Sequence, residues 1–184
     1  IKVEFRMIEA GRLTPPSRGR MTMSPDGRFT FGNFYLGEYR ATLSGLPRSL
    51  YIKEARLGSI DALSQNLMLT TSPLPSLDFV LAKGGDLVGT VTDSASRPVA
   101  NQEVVLVPAF SNRPELYKTG TTDGNGRFAI QGIAPGDYRA YAWKTMERFQ
   151  YFDSEFVREF SDKGTSIQIT ASSEMTAALT LIQN

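Results

Sequence analysis

Residues 1–41 of this chain recur, in register and without insertion or deletion, as residues 100–140. Asp26-Gly27-Arg28-Phe29 returns as Asn125-Gly126-Arg127-Phe128, and Gly37-Glu38-Tyr39-Arg40-Ala41 returns as Gly136-Asp137-Tyr138-Arg139-Ala140. Glu4 falls on Glu103 and Ala10 on Ala109 in the same frame. A repeat of that length is a whole structural module, so the 184 residues read as two similar bodies rather than one large one. Gly84-Gly85 marks the expected division, giving a first module over 1–84 and a second over 85–184. A linker that short predicts modules held stiffly rather than tumbling freely.

Almost every segment has the signature of a strand. Residues 2–8 set Val3, Phe5 and Met7 against Lys2, Glu4 and Arg6, the two-residue period of a half-buried strand. Similar readings cover 21–23, 28–31, 37–43, 50–57, 66–70 and 77–81 in the first module. Pro15 to Gly19 reads as a loop, Pro25-Asp26-Gly27 as a turn, and Pro73 with Pro75 as the next loop. In the second module the strands fall at 86–92, 102–107, 117–121, 126–130, 137–143, 165–170 and 175–182. Residues 153–161 are the one helical candidate: Phe156, Val157 and Phe160 share a face, with Asp153 or Ser154 as N-cap. Short strands at regular spacing with turn chemistry between them predict an all-β chain of two tandem β-sandwiches.

The chain has neither histidine nor cysteine. That removes Ser-His-Asp and Cys-His chemistry, the usual zinc-hydrolase sites and any disulfide framework. No apolar run is long enough for a membrane helix. A start at Ile1 without a signal peptide reads as a mature or trimmed product. Net charge is +1, without the clustered basic face that nucleic acid requires.

The residues Gly89-Thr90-Val91-Thr92-Asp93, Pro98-Val99 and Val104-Val105-Leu106-Val107-Pro108 form a pattern with two later stretches. These are Thr121-Thr122-Asp123-Gly124-Asn125-Gly126-Arg127-Phe128 and Ile133-Ala134-Pro135-Gly136-Asp137-Tyr138-Arg139. Together they resemble the carboxypeptidase regulatory-like domain, a transthyretin-like β-sandwich related to the Cna-B-type repeats of bacterial surface proteins. The resemblance implies an accessory, non-catalytic module of an exported or cell-surface bacterial protein. It implies no cofactor and, as partners, other copies of the chain or adjacent repeats. The lysine–Asn/Asp isopeptide known among Cna-B-like relatives needs a lysine on the opening strand, and 86–92 contains none.

The repeat frame places Ile1 opposite Ala100, so the first module has no counterpart of the opening strand at 86–92. Either the chain continues upstream, or a strand donated by a neighbouring copy fills the slot and builds a filament. On the second reading Lys2, Val3, Glu4, Phe5, Arg6, Met7 and Ile8 border the vacancy and form the edge for strand addition, with 86–92 or 175–182 as the complementary edge. A different expectation is glycan binding, with Trp143 and Tyr151 stacking on sugar rings and Asp153 orienting hydroxyls. These two belong to an aromatic-rich set with Tyr117, Tyr141, Phe149 and Phe152, and the alternative is that Tyr141 or Trp143 belongs to the core while residues 149–152 pack the helix onto the sheet. Asp123-Gly124-Asn125-Gly126 reads as a hairpin turn rather than a calcium loop, because the later acidic ligands are missing. Arg40 and Arg139 are expected to pair with Glu38 or Asp137 on the sheet surface.

Overall fold

The computed structural model describes residues 1–9, 12–13, 21–23, 27–31, 35–70, 75–109 and 113–183. Ala10, the 15–19 loop, Pro25, Asp26 and Pro73 lie outside them. The chain forms two compact units, Ile1–Pro47 with Ile52–Leu81, and Arg48–Tyr51 with Ala82–Asn184.

In the first unit, β1 (Lys2–Glu9), β2 (Arg12–Leu13), β5 (Gly37–Ser44) and β8 (Leu67–Leu69) make a sheet in the order β2-β1-β5-β8. A hairpin joins β3 (Met21–Met23) to β4 (Phe29–Phe31). The remaining strands, β6 (Leu50–Leu57), β7 (Ile60–Asp61) and β9 (Leu77–Lys83), form a sheet in the order β7-β6-β9. Alternation sends Val3, Phe5, Tyr39, Ala41, Ile52, Leu57, Leu67 and Leu69 into one core drawn from both sheets.

The second unit is a sandwich of the same plan. One sheet has the order β13-β10-β16, from β13 (Arg127–Ile133), β10 (Gly85–Thr92) and β16 (Glu174–Thr180). The other runs β12-β11-β14-β15, from β12 (Lys118–Thr121), β11 (Glu103–Pro108), β14 (Gly136–Tyr141) and β15 (Thr165–Ile169). Leu87, Val91, Val104, Leu106, Phe128, Ile130, Tyr138 and Ile167 meet between them. Helix α1 (Ser154–Glu159) starts where expected, with the Asp153 carboxylate accepting from the Glu155 N–H at 2.9 Å.

The repeat is visible in atomic detail. Tyr39 donates its hydroxyl proton to the Tyr35 carbonyl at 3.1 Å, and Tyr138 does the same to the Ala134 carbonyl at 2.9 Å. Each tyrosine thus ties its strand to the backbone four residues upstream, the tyrosine corner of immunoglobulin-like sandwiches. Arg40 and Arg139 are also equivalent, but they do not pair with Glu38 and Asp137. Arg40 donates to the Leu63 carbonyl, and Arg139 to those of Ser161 and Gly164. Both anchor the segment entering the next strand. Strand register is one departure from the repeat: β1 lies on β5 with Arg6 opposite Arg40, whereas on β11 Val107, the equivalent of Ile8, faces Arg139. A two-residue slip keeps every side chain on its original face.

Two expectations need correcting. The opening strand of the second unit, β10, lies in the sheet with β13 and β16, whereas β11, the counterpart of residues 2–8, lies in the opposite sheet. Lys2–Ile8 therefore do not border the position of an absent opening strand. In the first unit the three-stranded sheet is centred on β6, which belongs to the chain itself. Its pairing with β9 is antiparallel, bracketed by Gly58 N–H to the Ser76 carbonyl and Gly84 N–H to the Ser49 carbonyl. Gly84 and Gly85 are themselves closely packed. A Cβ on Gly84 would meet the Gly132 carbonyl carbon at 2.5 Å, and one on Gly85 the Thr170 oxygen at 2.5 Å, so the backbone needs glycine there for close packing.

Candidate functional site

The two repeats part company after β14. In the first unit the next element is β6, whereas in the second the chain crosses the outer face of the four-stranded sheet before it reaches β15. That crossing contains a 3-10 turn at Gln150–Phe152 and then α1. It buries a second apolar layer: Val105, Val107, Tyr141 and Trp143 from the sheet against Tyr151, Phe156, Val157 and Phe160 from above.

This layer decides the fate of the aromatic candidates. Trp143 is 2% exposed. Its indole stacks on Tyr141 at 4.6 Å and an interplanar angle of 9°, with Phe156 at 5.3 Å and Phe160 at 6.0 Å. Among the described residues its N–H finds no acceptor. No sugar ring can reach it while α1 is in place, so Trp143 is a core residue and not a stacking platform. Tyr151 is buried as well. The Asp153 carboxylate is committed to capping α1.

The accessible aromatics are ones that alternation did not single out. Phe149 is 53% and Phe152 44% exposed. Tyr117, half-buried at the end of β12, meets Phe152 at 4.7 Å and Tyr151 at 6.1 Å. The Arg148 guanidinium sits 4.7 Å from the Phe149 ring centre. Phe149 itself has φ 69° and ψ 9°, the left-handed region that a bulky residue rarely occupies.

Beside this ledge a groove of about 640 Å³ runs between α1 and the outer face of β14 and β15. Asp137, Arg139, Ser166 and Gln168 form its floor, Ser154 and Arg158 stand on its helical wall, and Tyr117 joins it to the aromatic ledge. No sequence signal gathers these residues, because four separate elements supply them.

Burial and hydrogen bonding displace a few titratable groups from their ordinary range. Burial pushes Tyr138 up to about 12 and raises Tyr117, Tyr141 and Tyr151, so all four keep their protons at neutral pH. Burial lowers Lys118. Two carboxylates are held below their ordinary range: Glu4 by hydrogen bonds from Lys2 and Arg6, and Asp93 by the backbone and side chain of Arg97. A general acid needs the opposite shift. Among the described residues no three His, Cys, Asp or Glu side chains gather as a metal site. The suspected calcium loop is a hairpin turn. Asp123 spends its carboxylate on the N–H groups of Asn125 and Arg127, and Gly126 alone adopts positive φ, at 73°. The turn at Asp93 repeats this construction, with Ser96 at φ 60° in the glycine's place.

The two copies share a tyrosine corner and an arginine that anchors backbone. Residues 86–181, more than half of the chain, match the carboxypeptidase regulatory-like domain, and the chain belongs to that family. No curated protein matches it. Among solved structures, a Pseudomonas aeruginosa protein provisionally described as carbohydrate-binding is similar at 19% identity and TM-score 0.36, over 53% of this chain and 88% of that one. BcpA, the major pilin subunit of Bacillus cereus, is similar at 13% identity and TM-score 0.37, over 97% of this chain and 54% of that one. GBS52, the minor pilin of Streptococcus agalactiae, is similar at 12% identity and TM-score 0.34, over 97% of this chain and 80% of that one. The chain spans about half the length of the Bacillus pilin. Likenesses this distant are of general architecture alone.

Proposed function

We infer that this chain is a non-catalytic structural and interaction module of an exported bacterial surface protein, joined through its sheet edges to adjacent repeats or to further copies of itself. The observation that carries this reading is what the repeats keep among the described residues: a tyrosine hydroxyl and an arginine that brace backbone, with no group poised for chemistry. The absence of histidine and cysteine is consistent with it.

The edge best suited to strand addition is β16. It pairs with β10 on one side, and no other described strand pairs with it. Edge strands that must stay unpaired carry lysine, proline or a bulge. Glu174-Met175-Thr176-Ala177-Ala178-Leu179-Thr180 has none of these, and its only charge is at the first residue. Thr176 and Ala178 are exposed, so lysines placed there leave the core intact.

Sedimentation velocity over a concentration series tests the reading. The parent chain is expected to associate with increasing concentration, and Thr176→Lys with Ala178→Lys to stay monomeric. A parent chain that remains monomeric at the highest attainable concentration refutes self-assembly.

A further inference from the structure

We propose that the groove over β14 and β15, together with the Tyr117/Phe149/Phe152 ledge, is a binding site for an uncharged glycan chain. The site is separate from the β16 edge and does not depend on assembly there. It also differs from the expected one: Trp143 and Tyr151 are buried, and the rings that face solvent are their neighbours in the crossing segment.

Three independent features converge on sugar. First, the groove has the volume of a small-molecule site, about 640 Å³, and sets a few polar side chains among apolar ones such as Val107, Pro108 and Val157. Asp137, Ser166 and Gln168 on the floor and Arg158 on the wall are all exposed, and no hydrogen bond or ion pair occupies their side chains among the described residues. Carboxylate, amide, hydroxyl and guanidinium side by side provide both acceptors and forked donors, which is what pairs of neighbouring hydroxyls require. Arg139 is already engaged by two carbonyls, leaving Asp137 and Arg158 as a pair of opposite sign. That balance suits an uncharged chain.

Second, the ledge offers the apolar complement. The ring of Phe152 lies 4.7 Å from that of Tyr117, which lines the groove, and 6.3 Å from that of Phe149. A pyranose presents hydroxyls at its rim and C–H bonds on its face. A trough that mixes polar and apolar groups and runs into a row of exposed rings therefore matches consecutive sugar units, the first held by hydrogen bonds and the next by stacking. Two rings exposed on one ledge are too little apolar surface for the core of a stable protein interface.

Third, the ledge is held under strain. Phe149 occupies the left-handed region, which is strained for a non-glycine residue, and such strain concentrates at ligand-binding positions. The conformation holds Phe149 out in solvent, with Arg148 close to its ring. An apolar ring with no binding role is stabilised by turning inward instead. The first unit has β6 where the second has the crossing segment, so the site belongs to the second unit alone.

The test is NMR titration of the isotope-labelled full chain with short oligosaccharides from β-glucan, xylan, mannan and chitin, followed by the same series on Phe152→Ala and Arg158→Ala. Both residues are exposed, so retained spectral dispersion verifies that the variants fold. At least one sugar is expected to shift the amide resonances of Ser166, Gln168 and Arg158 in a saturable way. Each substitution is expected to weaken that binding by about tenfold or more, the effect of losing one good contact. The proposal is overturned if no sugar in the panel moves these resonances, if binding survives both substitutions, or if the shifts map elsewhere. It is also overturned if the same resonances move when the protein is concentrated without sugar, which identifies a second copy as the occupant. Failure of the β16 variants in sedimentation leaves this result untouched, so the two readings fail separately.

Discussion

Tyr138→Phe removes one oxygen atom, and its cost follows from the geometry of the tyrosine corner. The hydroxyl donates to the Ala134 carbonyl at 2.9 Å, with Tyr138 4% and Ala134 6% exposed. Water cannot take over the bond, so the cost is the bond's net worth plus part of the desolvation of the abandoned carbonyl, about 2 kcal/mol in all. For a unit of this size that corresponds to a fall in Tm of about 10 °C. A second signature appears at alkaline pH. Burial pushes the phenol of Tyr138 from 10.0 up to about 12. The unfolded chain therefore begins to lose this proton near pH 10, while the folded chain keeps it to about 12. Across that window the unfolded state binds fewer protons, so the contribution is complete below pH 10 and declines as pH rises through the window. A displacement of that size is worth on the order of a few kcal/mol at full expression. Phenylalanine has nothing to titrate, so the gap between parent and variant is expected to be widest near pH 8 and to narrow above pH 10. Urea unfolding followed by tryptophan fluorescence reads this unit alone, because Trp143 is the only tryptophan and is buried in it. A variant within about 0.5 kcal/mol of the parent at pH 8 would refute the reasoning, and so would a gap that stays constant up to pH 11.5.

Further outcomes follow from other contacts. Asp153→Ala removes the N-cap of α1 and is expected to cost about 1 kcal/mol, with hydrogen exchange accelerating over residues 154–159 and little change in the β-strands. Arg97→Ala keeps the backbone N–H that chiefly holds the Asp93 carboxyl low and removes only the guanidinium, so a partial rise toward the ordinary range is expected, read by carbonyl NMR titration; an unchanged midpoint counts against the side chain as a contributor. Because Asp93 is held low, the contribution of this turn is present above the ordinary carboxylate pKa and lost as pH falls through the lowered value. Gly85→Ala forces a Cβ to within 2.5 Å of the Thr170 oxygen and is expected to cost at least about 2 kcal/mol in thermal unfolding. Ser96→Gly relieves a left-handed serine and is expected to stabilise the second unit by up to about 1 kcal/mol.

The legible parts of this chain were those governed by near neighbours. Alternation in 2–8, 37–43 and 86–92 places Val3, Phe5, Tyr39, Leu87 and Val91 inside, as found, because a strand's two faces are set by its own period. The N-cap at Asp153 and the turn at Asp123 are equally local. Sheet membership is not. Residues 50–57 read as a strand, but nothing in their pattern tells that this strand takes the centre of the sheet where a repeat-based comparison sees a vacancy. The same limit applies to Trp143. Period two puts it on one face of its strand, yet whether that face meets sugar, water or protein depends on a crossing segment that follows. Phe149 and Phe152 are hidden from pattern reading for the converse reason, since an irregular turn has no period. The register slip of β1 on β5 leaves no trace in composition, because moving two residues along preserves both faces.

The parallel pairing of β10 with β16 has a mechanical consequence. Seven consecutive partners, from Asp86 opposite Glu174 to Thr92 opposite Thr180, line up between the first and last strands of the second unit. A pull on the chain enters β10 at its beginning and leaves β16 at its end, so two strands running the same way are dragged in opposite directions. Their rungs are sheared together rather than unzipped one after another. Resistance to tension is then set by the barrier to sliding the whole ladder, a rate rather than an equilibrium quantity. A domain of modest thermal stability can in this way serve as a stiff link under load.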